Sequence, residues 1–484
     1  MNYFPKYFTE KAMLLYVVSL FVISLVFFSR ALPLMFMTFG LVEVIGFFYF
    51  SNLLTKKWAN FSQKRFKLNL FYTAFFIRLA WVLFSYVFYS YRYGVPFEFE
   101  AADSHFYDYS GTWIHSLLIN NQGLHPFLET LKGGYSDAGY AIYLGVQYVF
   151  TDDSILIARV LKAVYGAFTC ILIYKFAIRN FGEEVGRMAG IFCMLMPNMI
   201  YYCGLHLKET EMVLLTVWFM ERADAMLRNK NFNFAEIAPP LLLAGVLFSF
   251  RTVLGATALF ALFTSLMFSS TQVVGWGKRS IIIVWILGTV VYFIGGQIST
   301  EVEQVWKDKD ENQTTSMAYR AEQENGNKFA KYASTAVFAP IIFVMPFPTM
   351  VHTDGQENSQ LLHGGYYVKN FMAFFVLIAF LWVIKNKKWR NYMLIGSFTI
   401  GYLGIIAMSS FAQSERFHLP ALPFLLIMAA FGLSKVSNSD KKYFKWYMIF
   451  IFIALVAWNY VKLAGRGLAY IIMNYKLLLN PITI

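Results

Sequence analysis

Apolar runs about as long as a bilayer is thick recur through this 484-residue chain, and they leave it few ways to fold. A helix crossing the hydrocarbon layer needs about 20 mainly apolar residues. That ruler picks out 12–29, 31–53, 68–91, 155–175, 184–203, 209–227, 235–250, 252–270, 280–298, 368–384, 391–411, 418–434 and 445–463, about thirteen spans. Backbone groups in lipid must be satisfied within their own segment. The expected fold class is therefore an all-α polytopic membrane protein of about thirteen transmembrane helices, with interfacial helices in a first outer loop. The composition, 58% hydrophobic and 19% aromatic with only 14% charged residues, argues against soluble classes. The run from Met13 follows Lys6 and Lys11 as a signal sequence would, but it ends in "FFSRALPLMF" without a small-x-small cleavage site, so it is expected to stay as the first span. Cys170, Cys193 and Cys203 show no C-x-x-C spacing and are expected to be packing residues.

A net charge of +13 does not imply a nucleic-acid partner, because the basic residues sit in short clusters between apolar segments. Lys and Arg are retained on the cytoplasmic side. "TKKWANFSQKRFK", "RADAMLRNK", "GKRS", "KNKKWR" and "KVSNSDKKYFK" all fall there if the short segment Ala138–Phe150 lies on the outer surface without crossing. The N-terminus is then inside and the C-terminus outside. Five regions follow: N-terminal transmembrane helices over 1–91, an outer loop with interfacial helices over 92–154, central transmembrane helices over 155–298, a long outer loop read as a lid over 299–367, and C-terminal transmembrane helices over 368–484.

The first outer loop gathers acids in a chain short of them. "FEFEAADSHFYDYSG" carries Glu98, Glu100, Asp103 and Asp108. Phe106, Tyr109, Trp113, Leu117 and Leu118 recur at helical spacing, which suits a helix lying in the membrane interface with Asp103 at its N-cap. Glu98 and Glu100 alternate with Phe97 and Phe99 and read as surface acids, and Asp108 as solvated or paired with His105 or Arg92. The same topology places Lys208, Arg251, Arg416 and His418 at outer ends of spans. Local alternatives are that Lys208 snorkels, that Arg416 makes a surface ion pair between Glu415 and His418, and that Arg159 pairs with Asp152 and Asp153. Glu43 and Arg78 both fall roughly 15 Å deep by helical rise and are expected to form a structural ion pair.

The order of these features resembles the GT-C membrane glycosyltransferases, in particular the branch with protein O-mannosyltransferases and the lipid A aminoarabinose transferase. "ADSHFYDYSGTWIHSLL" is similar to that branch's first outer loop, where an acid precedes a Tyr-containing surface helix. "GYAIYLGVQYVFTDDSILIARVLKAVYGAFTCILIYKFAIRNFG", "MPNMIYYCGLHLKETEMVLL" and "SERFHLPALPFLLIMAAFG" resemble its next run, its next outer corner and a late span. The clear part covers roughly Pro96 to Arg251. The resemblance implies Asp103 as catalytic acid/base, with Asp108 as the alternative because Ser104-His105 follows Asp103 where the family often has a second acid or Gly-Tyr. It also implies Glu209 as a second acid opening the following helix, and Tyr107 and Asp108 as substrate-binding residues of the surface helix.

A sugar moved outside the cytoplasm lacks a nucleotide donor there, so the implied partner is a polyprenyl-phosphate sugar. The acceptor is a glycan, lipid or protein hydroxyl, and membrane lipid surrounds both substrates. Such a site needs a carboxylate to take the acceptor proton, cations for the leaving phosphate and an apolar groove for the tail. Asp103 and Glu209 suit the first need; Lys208, Arg251, Arg416 and His418 suit the second. His352, Asp354 and His363 have weak metal spacing, and neither metal nor cofactor is expected. The alternative function is a polysaccharide polymerase or ligase acting on lipid-linked glycans. A secondary transporter would need inverted repeats, which are not evident. Asn312 opens an N-x-[ST] pattern, but the short basic loops favour a bacterial inner membrane with the site facing the periplasm.

Overall fold

The computed structural model describes residues 3–131, 136, 138–229, 233–269, 276–294 and 341–464. The polar half of the expected second outer loop, with Asn312, and the C-terminal residues 465–484 lie outside the described residues. Among those described, the secondary structure is helical, with one isolated bridge between Ala31 and Val351. The helices are α1 (Lys6–Val26), α2 (Leu34–Lys57), α3 (Gln63–Tyr93), α4 (Ala102–Ile119), α5 (His125–Thr130), α6 (Ala138–Thr151), α7 (Ile155–Phe181), α8 (Glu183–Leu195), α9 (Pro197–Tyr201), α10 (Glu209–Arg228), α11 (Phe234–Phe250), α12 (Thr252–Phe268) and α13 (Trp276–Ile294). After residue 340 come α14 (Glu357–Leu361), α15 (His363–Lys385), α16 (Met393–Met408), α17 (Glu415–His418), α18 (Leu422–Lys435) and α19 (Asp440–Ala464).

A helix falls at each segment picked out by the apolar ruler. Among the described residues, eight helical stretches are long and apolar enough, by length and composition, to cross a membrane. The peripheral ones turn large apolar side chains outward. In α1 the inward face is Phe8, Ala12, Tyr16, Ser19 and Ile23, while Leu14, Phe21 and Leu25 are exposed. Large apolar side chains turned outward are what a lipid solvent permits. α15 and α18 form the centre of the bundle. A Cβ on Gly432 would lie 1.8 Å from the Phe375 carbonyl oxygen, so only glycine lets these two backbones approach so closely.

Contacts separate the two ends of the bundle. At one end, Arg187 of α8 donates to the carbonyls of Trp58, Ala59 and Phe61, Arg179 pairs with Glu221 and Asp224, and Arg390 donates to Phe268 O. The basic loops therefore gather at this end. The opposite end carries α4 and α6, the α9–α10 turn, the α11–α12 junction and α17.

Several expected pairings are replaced. Glu43 and Arg78 do not pair. Arg78 is fully buried and donates to Cys193 O at 3.1 Å and Met194 O at 3.2 Å. The cause is Pro197: it has no N–H for Cys193 O and breaks the expected 184–203 span into α8 and α9. Glu43 instead accepts from the backbone N–H of Gly365 at 3.0 Å, as well as from Gly364. That satisfies the first turn of α15, so the helix starts at His363, earlier than its hydropathy predicts. Asp103 is not an N-cap; Ala101 holds that position and Asp103 sits in the first turn of α4, where its charge still favours the helix N-terminus. Arg159 donates to Pro96 O, while Asp153 pairs with His115 at 2.8 Å. Glu98 is buried, not a surface acid, and accepts from the Ser104 hydroxyl at 2.6 Å.

Candidate active site

Three chain breaks deliver the charged groups. The first follows α9, where residues 202–208 turn before α10. Trp81 Nε1 donates to Tyr201 O at 2.9 Å, and the fully buried Lys162 of α7 donates to Leu207 O and pairs with Glu211 at 3.3 Å. This fixes the turn that presents Lys208 and Glu209. The second break is Arg251, a single extended residue between α11 and α12 with φ −165° and ψ 114°. The third is the short α17, which carries Arg416. Its neighbour Glu415 is buried and accepts from Lys369 at 3.2 Å and from Asn198 at 3.0 Å, which anchors that turn.

Arg416 joins the parts: its guanidinium hydrogen-bonds the carboxylates of both Asp103 and Glu209. Its ion-pair partners are thus far away in the chain, and Glu415 is committed to Lys369. Arg251 Nη2 lies 3.8 Å from the same Glu209 oxygen, with the guanidinium 4.4 Å from the Phe417 ring centroid. Arg251 Nη1 and Glu209 Oε2 are buried without a hydrogen-bond partner among the described residues. Lys208 Nζ donates to Phe250 O at 2.8 Å and sits 5.9 Å from the Tyr107 ring centroid. Asp103, Glu209, Lys208, Arg251, Arg416 and Tyr107 therefore form one constellation.

Two predicted residues fall outside it. His418 is fully buried, with Nδ1 3.0 Å from Lys369 Nζ and Nε2 2.9 Å from Ala412 O. It supports the Glu415–Lys369 pair and does not line the cavity. Asp108 accepts from Tyr148 Oη at 2.6 Å and lies 3.7 Å from His206 Nε2, which replaces the expected His105 or Arg92. Arg92 pairs with Glu357 at 3.2 Å. Burial raises the Asp108 carboxyl above its ordinary value even though the Tyr148 hydroxyl opposes this. Asp108 thereby ties α4 to α6 and the α9–α10 turn.

Asp103 and Arg416 line a cavity of about 530 Å³, the size of a small-molecule site. Its remaining wall includes Glu98, Tyr201, Tyr202, Tyr366 and, from the segment before α15, Phe347, Thr349 and Asn358. Lys208, Glu209 and Arg251 stand behind Arg416 and are not part of the cavity surface. A second, apolar groove of about 480 Å³ runs between α2, α3 and α9, lined by Phe39, Phe47, Trp81, Phe84 and Ile200. Tyr201 borders both spaces.

Sequence reasoning missed Lys162 and Lys369, gave Glu415 only as a neighbour of Arg416 in a surface ion pair, and called for an apolar groove without locating it. A charge inside an apolar span is a signal in itself, and Lys162 and Lys369 both carried it. Asn198 and Tyr201 had no such marker. Among the described residues no group of three or more His, Cys, Asp or Glu side chains is arranged to hold a metal ion.

Burial, with the Arg251 guanidinium adding to it, pulls the Lys208 ammonium down to about 7 from an ordinary 10.5. The unfolded chain keeps this lysine charged up to its ordinary value, whereas the folded protein charges it only below the lowered one. Between the two, the unfolded state binds more protons, so stability rises with pH. Thermal melting is expected to show that rise from about 7 toward 10.5 and a shallower one in Lys208→Met. Parallel profiles for the two proteins would refute the assignment.

The chain has no significant match to a family model, a curated protein or a solved structure. Its fold and helix composition define the class of an all-α, multi-pass membrane protein.

Proposed function

We propose that this protein is an integral membrane glycosyltransferase that moves a sugar from a polyprenyl-phosphate donor to an acceptor at the non-cytoplasmic face. In this reading, about thirteen helices cross the membrane, the basic loops lie inside, and the membrane is a bacterial inner membrane. The observation that carries it is the Arg416 bridge between Asp103 and Glu209 at a polar cavity whose border residue, Tyr201, also borders an apolar groove. A lipid-phosphate sugar has that division: an isoprenoid tail for the groove, and a charged head and sugar for the cavity.

Asp103 takes the proton from the acceptor hydroxyl as its oxygen bonds to C1 of the sugar. The bond from C1 to the phosphate oxygen breaks, and its electron pair leaves on the polyprenyl phosphate. Arg416 stabilises that developing charge, with Arg251 behind it. Glu209 holds both guanidinium groups in place, and Lys208 fixes the Phe250 end of α11 beside Arg251.

The test is turnover of a polyprenyl-phosphate sugar by the purified protein, followed by mass spectrometry. Wild type is expected to release polyprenyl phosphate. Arg416→Gln and Arg251→Gln are expected to lose at least about tenfold in donor kcat/KM, the order of one charge-assisted hydrogen bond. Donor dependence unchanged in both variants would rule out the phosphate site.

A further inference from the structure

One wall of the cavity takes no part in the charge cluster. α19 contributes Trp458 and Lys462 to it, and the loop before α14 contributes Phe347 and Thr349. Asn459 is fully buried and clamps the two together. The Met350 N–H donates to its Oδ1 at 2.6 Å, and its Nδ2 donates to Pro348 O at 3.3 Å. The clamp holds Phe347 beside Trp458, with ring centroids 6.1 Å apart and planes tilted by 54°. Lys462 Nζ lies 4.8 Å from the indole centroid. Two lining side chains also keep a buried polar atom without a hydrogen-bond partner among the described residues: Trp458 Nε1 and Asn358 Oδ1.

This wall therefore combines a fixed aromatic surface with the Thr349 hydroxyl, the Asn358 amide and the Lys462 ammonium beside the indole. An aromatic face packs against C–H surface, and amide and hydroxyl groups serve ligand hydroxyls from the side. A sugar ring offers both in one rigid body: an apolar C–H face and a rim of hydroxyls. A serine or threonine in a peptide offers a single hydroxyl and little flat surface, so it would leave most of this wall unused.

We propose that the Trp458–Phe347 wall is the acceptor subsite and that the acceptor is a saccharide whose ring packs on Trp458. This rests on the transferase reading above and names the acceptor class within it. Donor and acceptor then use different parts of one cavity, the donor by Arg416 and Tyr201 and the acceptor by α19 and its loop.

The test uses the full-length protein in nanodiscs, with methyl α-D-mannopyranoside and methyl β-D-galactopyranoside as sugar probes and acetyl-Ala-Ser-Ala-amide as the peptide comparison. In saturation-transfer NMR, ring protons of a glycoside are expected to receive saturation. Affinity is expected to fall roughly tenfold in Trp458→Ala and to be largely retained in Trp458→Phe. No glycoside signal from wild type, an unchanged affinity in Trp458→Ala, or a signal from the peptide alone overturns the subsite. Glycoside binding at Trp458 without any donor turnover by wild type overturns the transferase reading, and the acceptor role with it.

Discussion

Asp103→Asn is expected to abolish sugar transfer while leaving the protein folded and membrane-inserted. The carboxylate is more than half exposed and lines the cavity, and an ion pair that open to solvent contributes no more than about 1 kcal/mol to stability. Arg416 keeps its bond to the buried Glu209 when Asp103 is neutral, so the α17 turn retains its anchor. A positioned general base is worth about a hundred- to ten-thousand-fold in rate. Turnover of a polyprenyl-phosphate sugar, read beside the melting temperature, separates the two effects. Asp108→Asn is the companion variant. Because Tyr148 and His206 hold Asp108 away from Arg416, it should lower stability and leave most of the turnover. Transfer surviving in Asp103→Asn and vanishing in Asp108→Asn would move the base to Asp108.

The second large effect is on folding. Arg78→Met is expected to leave little folded protein, although Arg78 is absent from both the cavity and the groove. Its guanidinium reaches Ala74 O, Cys193 O and Met194 O, and the last two belong to a helix end that Pro197 prevents from closing on itself. Methionine fills most of the volume but donates no hydrogen bond, leaving buried carbonyls unpaired at a cost of about 2–5 kcal/mol. Gly166 makes the room that the arginine side chain occupies, since a Cβ there would lie 2.4 Å from Arg78 Nε. Arg78→Lys should recover part of the loss, because one ammonium serves fewer carbonyls than a fork of guanidinium donors. Monodispersity and thermal melting in detergent measure this, and a variant that melts like wild type would refute the capping role.

The helical architecture was legible because its cause is local. A run of about 20 apolar residues must form a helix in lipid whatever its neighbours do, and the predicted segments coincide with helices from α1 to α19. Boundaries moved where a partner from elsewhere satisfied a helix end. Glu43 accepting from Gly364 and Gly365 starts α15 early, and Arg78 at Cys193 and Met194 stabilises the break before α9. The apolar ruler cannot register either, because it scores residues without their partners.

The site was legible as types and places: a carboxylate opening the surface helix, an acid opening α10, and cations at helix ends on the same side. Depth along a span follows from residue count, so ends that share a side can be assigned without knowing which helices touch. Sequence therefore determined which groups occupy that side of the bundle. Only the tertiary structure decided how they pair. Arg416 meets Asp103 from 313 residues away and Glu209 from 207, while His418, two positions along, turns inward to Lys369. Depth is a one-dimensional quantity set by local hydrophobicity, whereas the neighbour across a cavity is set by how whole helices pack, and that packing depends on close approaches such as Gly432 against Phe375.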